Sequence, residues 1–503
     1  MQLLSGCTTV GPDFEEPDPL WLSQWQTDLY GQVSTTASQT SADLEFWWYL
    51  FDDPVLNDLI AKAKAENLNL RIAALRILES RAVVGIAGRA AYPQLQQLGG
   101  ALSYVNSESH GGVAPDGDDG LVAYSTDFAF GWEIDFWGRF RRGLESADAS
   151  FFASMSRYQD AQVLLAAQMA DFYYAYLTTL KRIEIAQGNA EIQARSLDIT
   201  NKLYISGQES ELDLQQASTQ YFATLSTIPE LEIIATRLRN AICVLMARPP
   251  GDLAELVDVP DSLPLLDPLL ITAIPAELVM RRPDVRAAAW QVAAQSAQIG
   301  IARAEYFPSI SLAGTVGWSG NDTNGTPDVS TLAAGPLVSW NIFNYGRVDN
   351  NVRIQDSRLE QATASFQTEL QNAALELDNA AISVVKTRER QTSLRSGVAA
   401  ANRALDIANI RYREGYSDFN RVLDAQRALF SATERELVNQ GNHLAAVIEF
   451  YKALGGGWLA TPIDGMLPTA VRERMQTRSN WGDLLTEPLP SNDVGPQPTG
   501  VDE

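Results

Sequence analysis

The sequence predicts a mixed α and transmembrane β fold, in which strands that face lipid are continued by very long helices. Two observations predict this fold. Segments of strict period-two alternation carry bulky apolar residues on one face and small or polar residues on the other. Each of them is followed by a long helical stretch, from 139 to 207 in the first case, and the whole arrangement occurs twice.

The strands are indicated by "VAYSTDFAFGWEIDF", residues 122–136. Large apolar residues alternate from Val122 to Phe136, and small, polar or acidic residues such as Asp127 lie between them. Such alternation is longer than a typical strand of a soluble protein. The second half of the chain repeats the pattern, and we expect strands at about 95–136 and 309–343.

Closure of these strands into a barrel limits the number of chains. Bulky outward residues, small inward residues and polar outer loops (110–120 and 319–330) are typical of a membrane β-barrel, and a soluble sheet with one wet face is the alternative. Four strands cannot close a barrel, and open edges in lipid leave backbone groups unpaired. Two chains would give eight strands, which fill with side chains, whereas three would give twelve and leave a passage. The sequence therefore favours a homotrimer.

A tandem duplication underlies the pattern. Three blocks reappear in the same order, at shifts of 215, 208 and 208 residues: 67–95 over 282–310, 132–139 over 340–347, and 195–208 over 403–416. Each copy contains a helix, two strands and a long helical hairpin, with turns near 207 and 415. Apolar positions recur at three- and four-residue spacing among Ala and Gln, which favours a wall of closely packed helices over an ordinary bundle.

The composition excludes several classes of function. The formal net charge is −24, and a nucleic-acid binder needs a basic face, so we expect no nucleic acid as a partner. Cys7, Cys243, His110 and His443 cannot supply a zinc site by their spacing. Cys243 lies in an apolar helical stretch and is expected to be buried. No nucleophile or phosphate-loop motif is present, and we expect no enzyme, no metal and no cofactor.

Six stretches in one order carry a family resemblance over nearly the whole chain: "CTTVGPDFEEP" (7–17), "WWYLFDDPVLNDLIAKAKAENLNLRIA" (47–73), "WEIDFWGRFRRG" (132–143), "AELVMRRPDVRAAAWQVAAQSAQIGIARAEYFPSISL" (276–312), "RYREGYSDFNRVLDAQRALFSA" (411–432) and "YKALGGGW" (451–458). They resemble the outer membrane factor family, the TolC-like channels of tripartite efflux pumps, in its NodT-type lipoprotein branch.

The resemblance implies a fold and a set of partners. The fold is a trimeric twelve-stranded outer membrane barrel, a long α-helical periplasmic barrel and a mixed equatorial region. The partners are a periplasmic adaptor and an inner membrane transporter of the resistance-nodulation-division type. The expected function is a passive export duct for small molecules or drugs. Metal-ion efflux, type I protein secretion and a trimeric structural surface protein are the alternatives.

Site residues follow from the same resemblance. Asp424 matches an aspartate that rings the periplasmic aperture, and Arg421 stands where some members carry a second aspartate. Three copies of Asp424 would attract cations; the alternative is that Asp424 pairs with Arg421 on its own helix.

A latch and two docking tips are also implied. Tyr412 and Asp213 match a pair that holds the mobile inner helices closed, and Ser417 replaces the latch arginine of the family. The turn residues Gly207 and Gly415 are expected at the tips where the adaptor docks, although any tight turn between helices would also use glycine.

The N-terminal "LLSGC" indicates the end of a lipoprotein signal, with Cys7 as the acylated residue. The apolar part of such a signal is absent from the sequence, and a barrel does not need a lipid to stay in the membrane, so we expect a second anchor. The sequence thus divides into a tether (1–46), a first repeat (47–275), a second repeat (276–458) and an equatorial C-terminal segment with a Pro- and acid-rich tail (459–503).

Overall fold

The fold was analysed in a computed structural model. The structure describes most of the chain: 9–31 with gaps at 16, 18, 20, 23–24 and 26–27, then 44–106, 120–257, 259–266 with gaps at 261 and 265, 275–322 and 327–490. Cys7, most of the 110–120 loop, part of the 319–330 loop and the tail from 491 lie outside the described residues.

The first half of the chain has two helices, two strands and a helical hairpin. A 3-10 turn at Trp47–Phe51 precedes α1 (Pro54–Glu66) and α2 (Leu68–Arg89). The strands β1 (Leu95–Val105) and β2 (Leu121–Ile134) follow, and then α3 (Arg139–Ile205) and α4 (Glu211–Leu245).

The second half repeats this order of elements, and three of its helices match those of the first half in length. The short α5 (Pro275–Arg281) leads into α6 (Pro283–Ala304), β3 (Ser309–Asn321), β4 (Val329–Ser339), α7 (Arg347–Arg413) and α8 (Phe419–Ala453). α2 and α6 have 22 residues each, α3 and α7 have 67, and α4 and α8 have 35. Two short helices, α9 (Ile463–Met466) and α10 (Thr469–Arg478), and a 3-10 turn at Gly482–Leu485 follow.

The four strands form one antiparallel sheet in the order β1-β2-β3-β4. Its register places bulky residues on one face, with Leu98, Phe128, Val316 and Leu332 in a single cross-strand row. The adjacent row, on the opposite face, contains Gln97, Ala129, Thr315 and Ala333. The alternation predicted from the sequence is therefore continuous across the sheet, whose two outer edges belong to β1 and β4.

The strands end earlier than the sequence suggests. The predicted segments extend to 136 and 343, whereas β2 ends at Ile134 and β4 at Ser339. The Phe136 N–H donates to the Ile134 carbonyl at 2.9 Å, and Ile342 makes the same contact with Trp340 at 3.1 Å. These tight turns redirect the chain out of the sheet and into the long helices.

The long helices determine the dimensions of the molecule. A helix of 67 residues spans about 100 Å at 1.5 Å per residue. Each long helix begins after a glycine with positive φ, at Gly138 and Gly346, and each hairpin turns at another, Gly207 (φ +77°) and Gly415 (φ +74°). Within the described residues, no helix is long and apolar enough to cross a membrane.

The main core lies beside the middle of the long helices. Trp47 is fully buried and stacks on Tyr451, with ring centroids 5.7 Å apart. Asp53 caps α1 through its Oδ1, and its Oδ2 accepts hydrogen bonds from the hydroxyls of Tyr173 (2.9 Å) and Tyr174 (3.4 Å). This buried carboxylate therefore joins α1 to α3. Cys243 is fully buried, as predicted.

The N-terminal strap, residues 9–15, packs where the sheet meets the helices. The Val10 N–H donates to the Trp137 carbonyl at 3.1 Å. Arg142, whose side chain is 3% exposed, donates to the carbonyls of Val10 and Gly11 and pairs with Asp13 at 2.7 Å. Gly300 allows this close approach, because a Cβ there would lie 2.8 Å from the Val10 carbonyl oxygen and 2.7 Å from Arg142 Cγ.

We predict that Gly300→Ala displaces the N-terminal strap. The added methyl meets a backbone oxygen, and overpacking of this kind costs about 1–3 kcal/mol. The matched control is Gly85→Ala, the same change at the equivalent position of the first repeat, where a Cβ would meet nothing within 4 Å in the chain. Limited proteolysis in detergent should cut the strap faster in Gly300→Ala than in Gly85→Ala; equal rates would contradict the prediction.

Candidate functional site

The ends of the two helical hairpins form a small packing unit of their own. Ala217 on α4 packs with Phe419, Val422 and Leu423 on α8 in a buried cluster that is separate from the main core. Tyr412, near the end of α7, packs against this cluster, and its ring lies 5.2 Å from that of Phe419. The two tips therefore meet through few residues, which is the arrangement expected of a segment that can open.

The predicted latch has a different hydrogen-bond partner. The Tyr412 hydroxyl donates to Glu209 Oε1 at 3.4 Å, rather than to Asp213 as the sequence predicts. Asp213 is occupied elsewhere, because Ser210 Oγ donates to its Oδ2 at 2.5 Å and Asn420 Nδ2 donates to its Oδ1 at 3.2 Å. The predicted Tyr412–Asp213 hydrogen bond is therefore wrong. Two separate hydrogen bonds, Tyr412–Glu209 and Asn420–Asp213, join the hairpins instead.

The two contacts take their acids from different parts of the first hairpin, Asp213 from helix α4 and Glu209 from the turn before it. Ser210 is the N-cap of α4 and Asp213 lies in its first turn, so both are held by helix geometry. Glu209 precedes the cap and reaches across from the turn itself. Ser417 makes its hydrogen bond locally, to the carbonyl of Asp418 at 3.4 Å, and adds no bond to the first hairpin.

The carboxylates at the tip influence one another. Burial raises the pKa of Glu209, and the nearby charge of Asp213 raises it further. Burial also raises the pKa of Tyr412, and so does the charge of Glu209. Both groups are thus stabilised in their neutral forms, which is the usual effect of desolvation next to a like charge.

Asp424 lies on α8 with 74% of its side chain exposed. Its carboxylate pairs with Arg427 at 3.4 Å, whereas Arg421 lies 4.0 Å from Asp418. The pairing of Asp424 with Arg421, which was the alternative to an aperture role, is therefore wrong. Arg427 also bonds Gln220 of α4, so it is held back towards the first hairpin. Exposed pairs of this kind contribute little stability and leave Asp424 in contact with water.

Sequence reasoning missed Glu209 and Asn420. Both lie within two residues of one that it identified, Glu209 just before the α4 cap and Asn420 just after the start of α8. A carboxylate followed by a Ser-x-x-Asp cap is a recognisable signal for a helix start, but it does not show which acid reaches the other hairpin. Among the described residues, no group of three or more His, Cys, Asp or Glu side chains could hold a metal ion.

Comparison with known proteins identifies the family. The family described as "Outer membrane efflux protein" matches residues 59–246 and 274–456. The solvent efflux pump outer membrane protein SrpC of Pseudomonas putida is 28% identical over 472 residues, covering 91% of this chain and 96% of SrpC. The cation efflux system protein CusC of Escherichia coli O6:H1 is 27% identical over 465 residues, covering 90% and 96%.

Solved structures agree with this result. The outer-membrane channel OprN superposes with a TM-score of 0.78 at 31% identity, covering 89% of this chain and 99% of OprN. The open state of the Neisseria gonorrhoeae MtrE outer membrane channel gives 0.75 at 25% identity, covering 89% and 98%. These matches confirm the TolC-like resemblance, the predicted fold of barrel strands continued by helices, the outer membrane location and the prediction of a channel rather than an enzyme. The chain belongs to the outer membrane efflux protein family.

Proposed function

We propose that this chain is the outer membrane duct of a tripartite efflux pump, through which small molecules pass passively to the exterior. The observation that carries the proposal is the continuity of the sheet with the hairpins. α3 follows β2 and α7 follows β4 within a few residues, so one wall extends from the membrane into the periplasm. A continuous wall of this shape suits the passage of solutes rather than the catalysis of a reaction.

A homotrimer completes the duct. The sheet contributes four strands, and its outer edges must be paired inside a membrane. Three copies give twelve strands, enough for an open passage, whereas eight strands fill with side chains. The small residues on the inner face, such as Ala129 and Ala333, leave that passage wide. The repeats at 47–275 and 276–458 would each supply one hairpin per chain to the periplasmic wall.

The cargo class is proposed from the relatives. SrpC is named for solvents, TtgI of Pseudomonas putida for toluene and ArpC of Pseudomonas putida for antibiotics. We propose small organic molecules as the cargo. CusC is named for cations, which makes metal-ion efflux the second candidate.

The hairpin tips are proposed as the docking site of a periplasmic adaptor, which links the duct to an inner membrane transporter of the resistance-nodulation-division type. Beside Gly207, Ile205 is 75% exposed, and beside Gly415, Tyr416 is 81% exposed. Exposed apolar side chains at the end of a long wall favour contact with a partner over contact with water.

Cys7 is proposed as a lipid anchor at the periplasmic surface of the outer membrane. Thr9 and Val10 are the first described residues, and Val10 is bonded to Trp137 at the end of the strands. A Cβ on Gly138 would lie 2.7 Å from Thr9 Cγ2, so the strap packs closely against this junction. An acyl chain two residues earlier would thus start near the level at which the barrel leaves the membrane.

The aperture and the latch are proposed at the opposite end. Asp424 would form an acidic ring in the trimer, which favours cations at the entrance. Tyr412 with Glu209, and Asn420 with Asp213, would hold the second hairpin against the first until the pump opens the tip.

The duct function predicts export that depends on a pump. Expressed with an adaptor and a transporter in cells that lack their own outer membrane channel, the chain should lower the accumulation of a fluorescent drug several-fold. Expressed without the transporter it should not, because a passive duct supplies no energy. Equal accumulation with and without the chain, at confirmed outer membrane expression, would contradict the proposed function.

Loss of the latch hydroxyl should open the tip. We predict that Tyr412→Phe shifts the closed–open equilibrium by about fivefold, which corresponds to ~1 kcal/mol for one hydrogen bond, and raises conductance in planar bilayers. The matched control is Tyr204→Phe on the first hairpin, whose hydroxyl has no partner among the described residues. Conductance that is unchanged in Tyr412→Phe, or raised equally by Tyr204→Phe, would refute the latch.

The tip should also respond to pH. The pKa of Glu209 is raised above its ordinary 4.5 in the latched tip by burial and by Asp213, so the latched form binds the proton more tightly than the open form. Closure is therefore favoured as the pH falls through the range just above 4.5, and this advantage is lost as the pH rises. Conductance should fall between pH 7 and pH 5, and Glu209→Gln should flatten that part of the profile. An identical profile in both proteins would exclude Glu209 as the titrating group.

A further inference from the structure

One carboxylate lies in the middle of the inner face of the sheet, which is the face with the small and polar residues such as Ala129 and Ala333. Asp127 is opposite Gly99 of β1 on one side and Gly317 of β3 on the other, and Gly317 is in turn opposite Thr331 of β4. The rows above and below contain Gln, Ala, Ser, Thr and Val. Asp127 is six residues from the start of β2 and seven from its end, so it sits close to half the height of the strand.

Asp127 differs from the other acid on this face. Within the described strands, the inner face has two charged residues, Asp127 and Glu133. Glu133 lies at the helix end of β2 and pairs with Arg139 at 2.8 Å. The Asp127 side chain is exposed, and its carboxylate makes no hydrogen bond or ion pair with any described residue. Its negative charge is therefore not neutralised by any described side chain, and it acts on the solutes in the passage.

The two glycines let the carboxylate lie along the wall. A Cβ on Gly99 would lie 2.7 Å from Asp127 Oδ1, and a Cβ on Gly317 would lie 3.4 Å from Asp127 Cβ. Glycine weakens a strand interior and often marks a site of close approach. Here it makes space beside Asp127, so that the acid adds charge to the passage without narrowing it.

We propose that Asp127 is a selectivity residue of the barrel. In the proposed trimer its three copies form a ring of carboxylates midway through the membrane, which favours cationic over anionic solutes. This ring is separate from the Asp424 aperture, since it lies in the sheet rather than at the hairpin tips. The inference rests on the proposed duct function, and it assigns to the barrel a preference for permeating charge. A ring of like charge in a low-dielectric wall raises the local concentration of counter-ions.

Because the Asp127 ring acts across a wide passage, its effect on ion selectivity should depend strongly on the salt concentration. The Debye length is about 30 Å at 0.01 M salt and about 3 Å at 1 M. A ring that acts through space on solutes should therefore select strongly in dilute salt and weakly in concentrated salt.

The first test measures the ratio of K⁺ to Cl⁻ permeability from reversal potentials in planar bilayers. In Asp127→Asn this ratio should fall by about twofold at roughly 0.01 M KCl and stay nearly unchanged at 1 M. The matched control is Glu473→Gln, the same change of charge on an exposed residue of α10, far along the chain from the sheet. The shift should persist when Asp424→Asn is also present, because the two rings act independently.

The outcomes separate this inference from the duct function. If the channel conducts but its K⁺ to Cl⁻ permeability ratio in dilute salt is unchanged by Asp127→Asn, the role of Asp127 is overturned and the duct function is left intact. The same holds if Glu473→Gln shifts the ratio equally. An unmodified protein that does not conduct would overturn both.

A second test does not depend on conductance. Asp127→Cys and Phe128→Cys differ by one position and by face, since Phe128 lies in the bulky row with Leu98 and Val316. A membrane-impermeant maleimide added outside intact cells should label Asp127→Cys and leave Phe128→Cys at the wild-type background, where Cys243 is buried. Equal labelling of the two variants would refute the position of Asp127 in the passage.

Discussion

The two free edges of a four-stranded sheet constrain the rest of this structure. Among the described strands, β1 and β4 each lack a neighbour on one side, and unpaired backbone groups in hydrocarbon cost several kilocalories per mole each. Only closure with other copies removes these edges, and the small residues of the inner face suit a barrel wide enough to conduct. In the outer membrane, the trimer and the passage both follow from the need to pair these edges, so the sheet is the element on which the function depends.

The duplicated chain supplies its strands and helices in two repeats with the same order of elements. Equal helix lengths in the two halves bring the turn glycines Gly207 and Gly415 to the same end of the molecule. The halves are not equivalent in detail, however. The Gly300 position of α6 receives the N-terminal strap, whereas the corresponding Gly85 of α2 has open space beside it. The tips also differ, since the first supplies the acids Glu209 and Asp213 and the second supplies Tyr412 and Asn420. The two repeats thus differ beside the N-terminal strap and at the hairpin tips.

Much of the fold could be predicted because its signals are local and repeated. Period-two alternation around Phe128 and the glycines at the turns follow from backbone geometry alone. The register was not predictable, because sequence does not show that Asp127 faces Gly99 and Gly317. The hydrogen-bond partner of Tyr412 was missed for a similar reason: Glu209 and Asp213 are four residues apart, and Asp213 accepts from Ser210 and Asn420, which leaves Glu209 for Tyr412. Arg421 and Arg427 both lie three residues from Asp424, but Arg427, which also donates a hydrogen bond to Gln220 of α4, is the one that pairs with it.

The central claim, that three copies share one barrel, is tested most directly by the mass of the protein extracted from outer membranes in mild detergent. Native mass spectrometry should give a protein mass of about three times the 55.1 kDa chain, with an increment for any acylation. A species of one or two chains that still conducts in planar bilayers would contradict the account, because four or eight strands would then have to enclose the passage.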